Sequence, residues 1–175
     1  MRNAIIVVIA ALLAGPPLRA QIAPADPLLD HLIGHWVLRG PMAGKPVVHD
    51  VTFQWVLNSE YVEMHEVSRE LTGTGKPAYE AIVYMGRDPH TREYSALWLD
   101  NTAYGAFKPA GVGRGIAAAD SIPFVFIYSP ASRFHTTFVY NRTSDTWAWH
   151  MDSDDAGRRS SFARVTLTRS GSQKR

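Results

Sequence analysis

A two-residue alternation of side chains runs through most of this chain and limits what it can fold into. The clearest example is residues 47–57, in which every second position belongs to one mainly apolar face. An alternation with this period predicts a β-strand that turns one face toward a core. The residues of that face are Val47, His49, Val51, Phe53, Trp55 and Leu57.

Similar stretches recur at regular spacing, separated by turn residues. We predict strands at 35–40, 47–57, 61–71, 79–85, 93–100, 111–116, 122–128, 133–140, 146–151 and 160–168, with a strand-like piece at 104–107. One short helix should precede them. Asp26 is a favoured N-cap residue, Pro27 suits the first helical position, and Gly34 ends the helical spacing.

Strands joined by short turns form antiparallel neighbours. An open sheet of ten such strands would leave two long edges exposed to aggregation, and closure removes both edges. We therefore predict an all-β fold: a single antiparallel up-and-down β-barrel of about ten strands with one short N-terminal helix. A barrel of this strand number can enclose a small ligand.

The first twenty residues have the pattern of a secretory signal peptide. Arg2 supplies the positive start, Ala4–Gly15 the apolar run and Ala20 a small residue at the cleavage point. The apolar run is shorter than the ~20 residues that cross a bilayer. We predict a signal peptide at 1–20, a mobile lead-in at 21–26, the barrel at 27–169 and a polar tail at 170–175. The expected location is secreted, in a bacterial periplasm.

Charge and cysteine content exclude several classes of protein. Removal of the leader takes away Arg2 and Arg19, which lowers the formal charge from +2 to zero. No basic stripe then remains for a nucleic acid, and no membrane span is predicted in the mature chain. The chain has no cysteine, so packing and sheet hydrogen bonds must hold the fold. Both a monomer and a homodimer stay open.

Several short motifs occur in a fixed order along the chain. They are Gly34-x-Trp36, Trp55-x-Leu57, Tyr79-Glu80, Gly86-x-Asp88, Tyr94 with Trp98-x-Asp100, and Trp147 and Trp149 ahead of Arg169. This pattern resembles the calycin group, which includes lipocalins, fatty-acid-binding proteins and nitrobindin. Within that group it is most similar to a family of small bacterial proteins of unknown function. The resemblance covers about residues 35–169 and implies a β-barrel with an internal or mouth-facing pocket, whose base Trp36 plugs.

The resemblance to nitrobindin also implies that haem binding is possible. Nitrobindin-like barrels bind haem through a histidine near the end of the chain, and the matching position here is His150. The first strand departs from that pattern, because Val37-Leu38-Arg39 stands where nitrobindin repeats glycines. No other cofactor is predicted. No metal site is predicted either, because Gly34 interrupts the helical spacing of His31 and His35.

Polar and aromatic side chains within the apolar strands are the candidates for a ligand site. Carboxylates directed into a barrel are costly unless they are paired, and such groups often mark functional sites. Alternation alone does not decide which face of the hairpin at 79–100 lines the interior, since a shift of one residue reverses it. The candidate ligand-binding residues are Trp55, Glu63, His65, Glu80, Tyr84, Tyr94, Trp98, Asp100 and Trp149.

We therefore expect an exported protein that holds a small apolar or amphipathic molecule. A cavity of a few hundred Å³, open at one end, would support this hypothesis, and a fully packed barrel would remove it. Whether the pocket is catalytic stays open: His65 with Glu63 or Glu80 could transfer a proton. Haem binding through His150 stays open too, as does pairing of strand 122–128 with another chain.

Overall fold

The computed structural model of this protein describes residues 26–102 and 109–171. Within them the chain forms one short helix, ten strands and a single 3-10 turn at Pro109–Gly111. The elements are α1 (Pro27–Asp30), β1 (Gly34–Met42), β2 (Lys45–Val56), β3 (Tyr61–Ser68), β4 (Glu80–Arg87), β5 (Glu93–Asp100), β6 (Val112–Ile116), β7 (Ser121–Ser129), β8 (Ser132–Asn141), β9 (Thr146–Asp155) and β10 (Arg158–Arg169).

Each strand pairs antiparallel with the next along the chain, and β10 returns to pair with β1. The result is a closed up-and-down barrel of ten strands, which confirms the predicted fold class. Strand β7 has neighbours on both sides within the barrel, so it is not an edge open to another chain. In the described part of the chain, no helix has the length and apolar character needed to cross a membrane.

Some predictions fall on residues outside this description. The signal peptide at 1–20, the lead-in at 21–25, the strand-like piece at 104–107 and the end of the polar tail at 172–175 all lie outside it.

The register of the β4–β5 hairpin decides which of its faces lines the interior. Val83 lies opposite Trp98, and Met85 lies opposite Ala96. Val83, Met85 and Ala96 are buried, whereas Tyr84 alternates with them and faces outward. The inner face of this hairpin therefore joins the apolar residues of β4 to the aromatic residues of β5.

Helix α1 closes one end of the barrel through its N-cap residue. The Asp26 carboxylate accepts the backbone N–H of Leu28 at 2.9 Å, which caps the helix. Its other oxygen accepts hydrogen bonds from the Arg87 guanidinium, at 3.0 Å, and from the Tyr94 hydroxyl. One buried carboxylate thus ties the helix to the end of β4 and the start of β5.

A second set of contacts seals the same end from β1 and β10. The Trp36 indole N–H donates to the carbonyl of Leu32 at 2.6 Å, and the Arg169 guanidinium lies 3.8 Å from the Trp36 ring centroid. Arg169 also donates to the carbonyl of Ile33 at 2.6 Å. Gly34 permits this approach: its φ is +126°, and a Cβ there would lie 2.7 Å from the guanidinium.

Aromatic rings fill the middle of the barrel, next to the end that α1 and Trp36 close. Phe138 stacks on Trp149 at 4.4 Å between ring centroids and meets Phe53 edge-on at 6.3 Å. Trp149 in turn contacts Trp98 at 5.9 Å. These rings occupy the centre of the barrel, and the interior beyond them lies at the end away from α1.

Candidate functional site

The end of the barrel opposite α1 contains a cavity of about 560 Å³. The residues that line it lie at strand ends, such as Met42 and Lys45 on either side of the β1–β2 turn and Ser68, Asp100 and Ser153 on other strands. All of these elements meet at the same end because successive strands run in opposite directions. The cavity is therefore an interior space that reaches the rim of the barrel.

The floor and walls of this cavity are mainly aromatic and apolar. Trp98 and Phe126 meet edge-on at 6.1 Å in the floor, and Phe134, Met151 and Phe162 line the wall. The Phe126 ring fits against the backbone of β6 because its neighbour there is Gly113, where a Cβ would lie 2.6 Å from the ring. An apolar wall with a few polar groups is typical of a small-molecule site.

A buried pair of polar side chains faces this cavity from β2 and β3. His49 Nδ1 lies 2.5 Å from Glu66 Oε1, and the two side chains are 4% and 1% exposed. Both residues line the cavity. Burying a histidine and a carboxylate without partners costs free energy, and the hydrogen bond between them offsets that cost.

Tyr79 extends the polar group along the same wall. Its ring stacks beside His49 at 5.9 Å, its hydroxyl accepts the Trp98 indole N–H at 3.1 Å, and the hydroxyl lies 3.5 Å from Asp100 Oδ2. Burial, followed by the negative charges of Glu66 and Asp100, raises the pKa of Tyr79 well above its usual value. Tyr79 is therefore a neutral phenol at neutral pH.

The structure brings two of the predicted site residues, Trp98 and Asp100, to the lining of the cavity. Three others are inside the barrel or at its closed end. Trp149 lies beneath the cavity floor, and its indole N–H donates to the Thr136 hydroxyl. Tyr94 and Trp55 belong to the sealed end, where they bond Asp26 and Asp30 respectively. Their roles in ligand binding stay predictions. In the structure, each of the three side chains forms a hydrogen bond within the fold.

The remaining candidates, Glu63, His65, Glu80 and Tyr84, lie on the outer face of the barrel. The buried positions of β3 include Val62 and Glu66, so Glu63 and His65 alternate to the outside. His65 Nε2 does bond Glu80 Oε1, at 2.9 Å, but their side chains are 43% and 47% exposed. This placement differs from the expectation that they line the interior, and a surface pair of this kind has little effect on stability.

His150 also points away from the cavity. It is exposed on β9, while its neighbours Trp149 and Met151 face the interior. A haem held inside the barrel could not take His150 as its ligand, so the residues present do not fit haem binding of that kind. Among residues 26–102 and 109–171, no three His, Cys, Asp or Glu side chains are grouped as metal ligands would be.

Sequence reasoning missed the three polar residues at the centre of the site: His49, Glu66 and Tyr79. A signal for two of them was present in the alternation. His49 occupies the inner face of β2 between Val47 and Val51, and Glu66 has the same phase as Met64 in β3. A polar residue in the buried phase of a strand needs a partner, and that requirement could have pointed to both.

Comparison with solved structures supports the fold. The chain is similar to the protein in the crystal structure of Rv2717c from M. tuberculosis, with a TM-score of 0.56 and 16% sequence identity. The match covers 85% of this chain and 99% of that one. At this identity the likeness shows a shared fold and nothing about activity. No protein-family model matches the sequence, and no curated protein matches it either.

Proposed function

We propose that this protein is an exported, calycin-like barrel that binds a small apolar or amphipathic molecule in the cavity at the end opposite α1. The observation that carries the proposal is the cavity itself, about 560 Å³ in volume, with an aromatic floor and a buried polar group in one wall. Pockets of this size and composition suit drug-sized molecules. The leader-like residues 1–20 support a role outside the cytoplasm.

The cavity's composition favours a molecule with an apolar body and a polar end. Trp98, Phe126 and Met151 offer ring and thioether surface, whereas His49 and Asp100 offer hydrogen-bonding groups along one side. A bound molecule would remove the apolar surface from water, which contributes roughly 25 cal/mol per Å² buried. Its polar end would then set the orientation.

The test uses the apolar dye N-phenylnaphthylamine, whose fluorescence rises when it leaves water. We expect the mature protein to bind it at one site. Ser153→Trp should weaken binding at least about tenfold, or about 1.4 kcal/mol, because the new ring would fill the cavity. Thr166→Trp is the matched control, since Thr166 is exposed on the outer wall of β10.

Equal dye affinity in the wild-type protein and Ser153→Trp would contradict the proposal, because the dye would then bind elsewhere. Native mass spectrometry of the protein purified from its own host gives the second measurement. A co-purifying molecule that is present in the wild type and in Thr166→Trp but lost in Ser153→Trp would identify the natural ligand.

A further inference from the structure

Two buried titratable residues, His49 and Glu66, interrupt a mainly apolar inner surface on neighbouring strands. His49 and Glu66 are 17 positions apart in the chain. They become diagonal neighbours because Val51 lies opposite Glu66 in the β2–β3 register, while His49 lies opposite Ser68. An apolar pair would fill this part of the wall without the cost of burying two polar groups. Packing alone therefore does not explain why His49 and Glu66 occupy this part of the wall.

The contact between the two side chains leaves one histidine nitrogen available to a bound molecule. Glu66 has only acceptor oxygens when ionised, so His49 Nδ1 donates its proton to that carboxylate. The hydrogen bond at one ring nitrogen sets the state of the other, so Nε2 of the neutral ring carries the lone pair. In the described stretches of the chain, no group hydrogen-bonds His49 Nε2.

Within residues 26–102 and 109–171, few charged or titratable groups surround this pair. Tyr79 stacks beside His49 and stays a neutral phenol, so it does not compete for a proton. Asp100 lies beyond the Tyr79 hydroxyl, and Glu70 and Lys45 line the cavity nearer the rim. The apolar floor limits the water around the pair, which strengthens its electrostatic effect on a bound molecule.

We propose that His49 is a general base in this cavity, with Glu66 as the residue that positions it. The substrate class is a small, largely apolar molecule with a weakly acidic O–H or C–H. His49 Nε2 takes that proton, and the electron pair of the broken bond stays on the molecule's oxygen or carbon. The Glu66 carboxylate stabilises the imidazolium that forms, and the proton later passes to the product or to water. This inference rests on the proposed function, because a molecule must first enter the cavity.

The test uses a nitro-substituted benzisoxazole as an apolar probe with one acidic ring C–H. A base removes this proton, the ring N–O bond breaks, and its electron pair moves to the oxygen, which leaves a coloured cyanonitrophenolate. No cofactor or second reactant is needed. We expect the protein to accelerate this ring opening and His49→Gln to lower kcat by roughly 10²-fold, with KM little changed.

The substitutions are chosen to preserve the fold. Gln at position 49 keeps an amide donor for Glu66, so no buried carboxylate is left unpaired. Glu66→Gln keeps the side-chain shape but removes the charge that stabilises the imidazolium. It should lower kcat and move the rise of the pH–rate profile to lower pH, which a purely structural role would not do. His65→Gln is the matched control on the exposed pair and should leave kcat unchanged.

The outcomes separate this inference from the binding proposal. If the benzisoxazole displaces N-phenylnaphthylamine but wild type and His49→Gln turn it over at equal rates, the general-base role is overturned and binding stands. If neither compound binds the wild-type protein, the binding proposal fails. An equal loss of rate in His65→Gln would also overturn the assignment, because the active base would then lie on the outer wall.

Discussion

The two ends of the barrel use similar residue types in opposite ways. At the closed end, the two Asp26 oxygens accept hydrogen bonds from Leu28 and Arg87, and the Trp36 indole N–H donates to the Leu32 carbonyl. At the open end, His49 and Glu66 bond each other beside a cavity of about 560 Å³. Buried polar pairs thus occur at both ends, but only the pair at the open end borders an unfilled space.

Removing the central aromatic ring of the closed end should have the largest effect. Trp36 is 1% exposed, so Trp36→Ala leaves a cavity in packed surroundings and should lower the free energy of unfolding by about 3–5 kcal/mol. Urea unfolding measures this loss. Phe134→Ala removes a ring that already borders the open cavity and should cost less than half as much. Equal losses would show that the two ends are packed alike.

Removal of the carboxylate that joins α1 to the barrel should have the second-largest effect on stability. Asp26→Ala takes away a helix N-cap and leaves the partly buried Arg87 without its ion pair. We expect a loss of about 2–3 kcal/mol in the free energy of unfolding. Asp100→Ala at the open end is the comparison and should cost less, because Asp100 caps no helix and its partner Thr102 is exposed. Thermal unfolding of both variants measures which substitution destabilises the fold more.

A larger side chain should also destabilise the packed end more than the open end. Ala96 is 2% exposed in the packed half, so Ala96→Trp forces its neighbours apart and should destabilise the fold by about 1–3 kcal/mol. Ser153→Trp places the same ring in the cavity and should change stability by less than this. Urea midpoints for both variants measure the effect. A larger loss in Ser153→Trp would mean that the cavity has less room than its volume indicates.

The smallest expected effect concerns acid stability at the closed end. The hydrogen bond from Arg169 lowers the pKa of Asp145 below its ordinary value of 3.8. Asp145 therefore contributes stability above that ordinary value, and the contribution is lost as pH falls through the lowered pKa of the folded state. Both side chains are more than a third exposed, so the contribution should stay under about 1 kcal/mol.

Denaturant unfolding of wild type and Asp145→Asn from about pH 5 to about pH 2 measures this contribution. The wild-type advantage should shrink as pH falls. Glu60→Gln, in the exposed turn after β2, serves as the control for a general change of charge. An advantage that grows toward low pH would contradict the assigned sign.

Local patterns in the sequence were enough to predict the elements and the closed fold. The alternation in 47–57 became β2, Asp26-Pro27 became the start of α1, and the pairing of β10 with β1 removed the two open edges as predicted. These features follow from near-neighbour chemistry: side chains alternate along a strand, and Asp caps a helix.

Only the tertiary structure decided where the site lies. The inner face of each strand depends on register, which places Trp98 inside and Tyr84 outside although both belong to one hairpin. The contact between His49 and Glu66 needs strands β2 and β3 to pair in one register, and α1 closes the end of the barrel opposite the cavity. Sequence patterns determine what each segment forms, but long-range packing determines which side chains meet, because the two partners of a contact lie far apart in the chain.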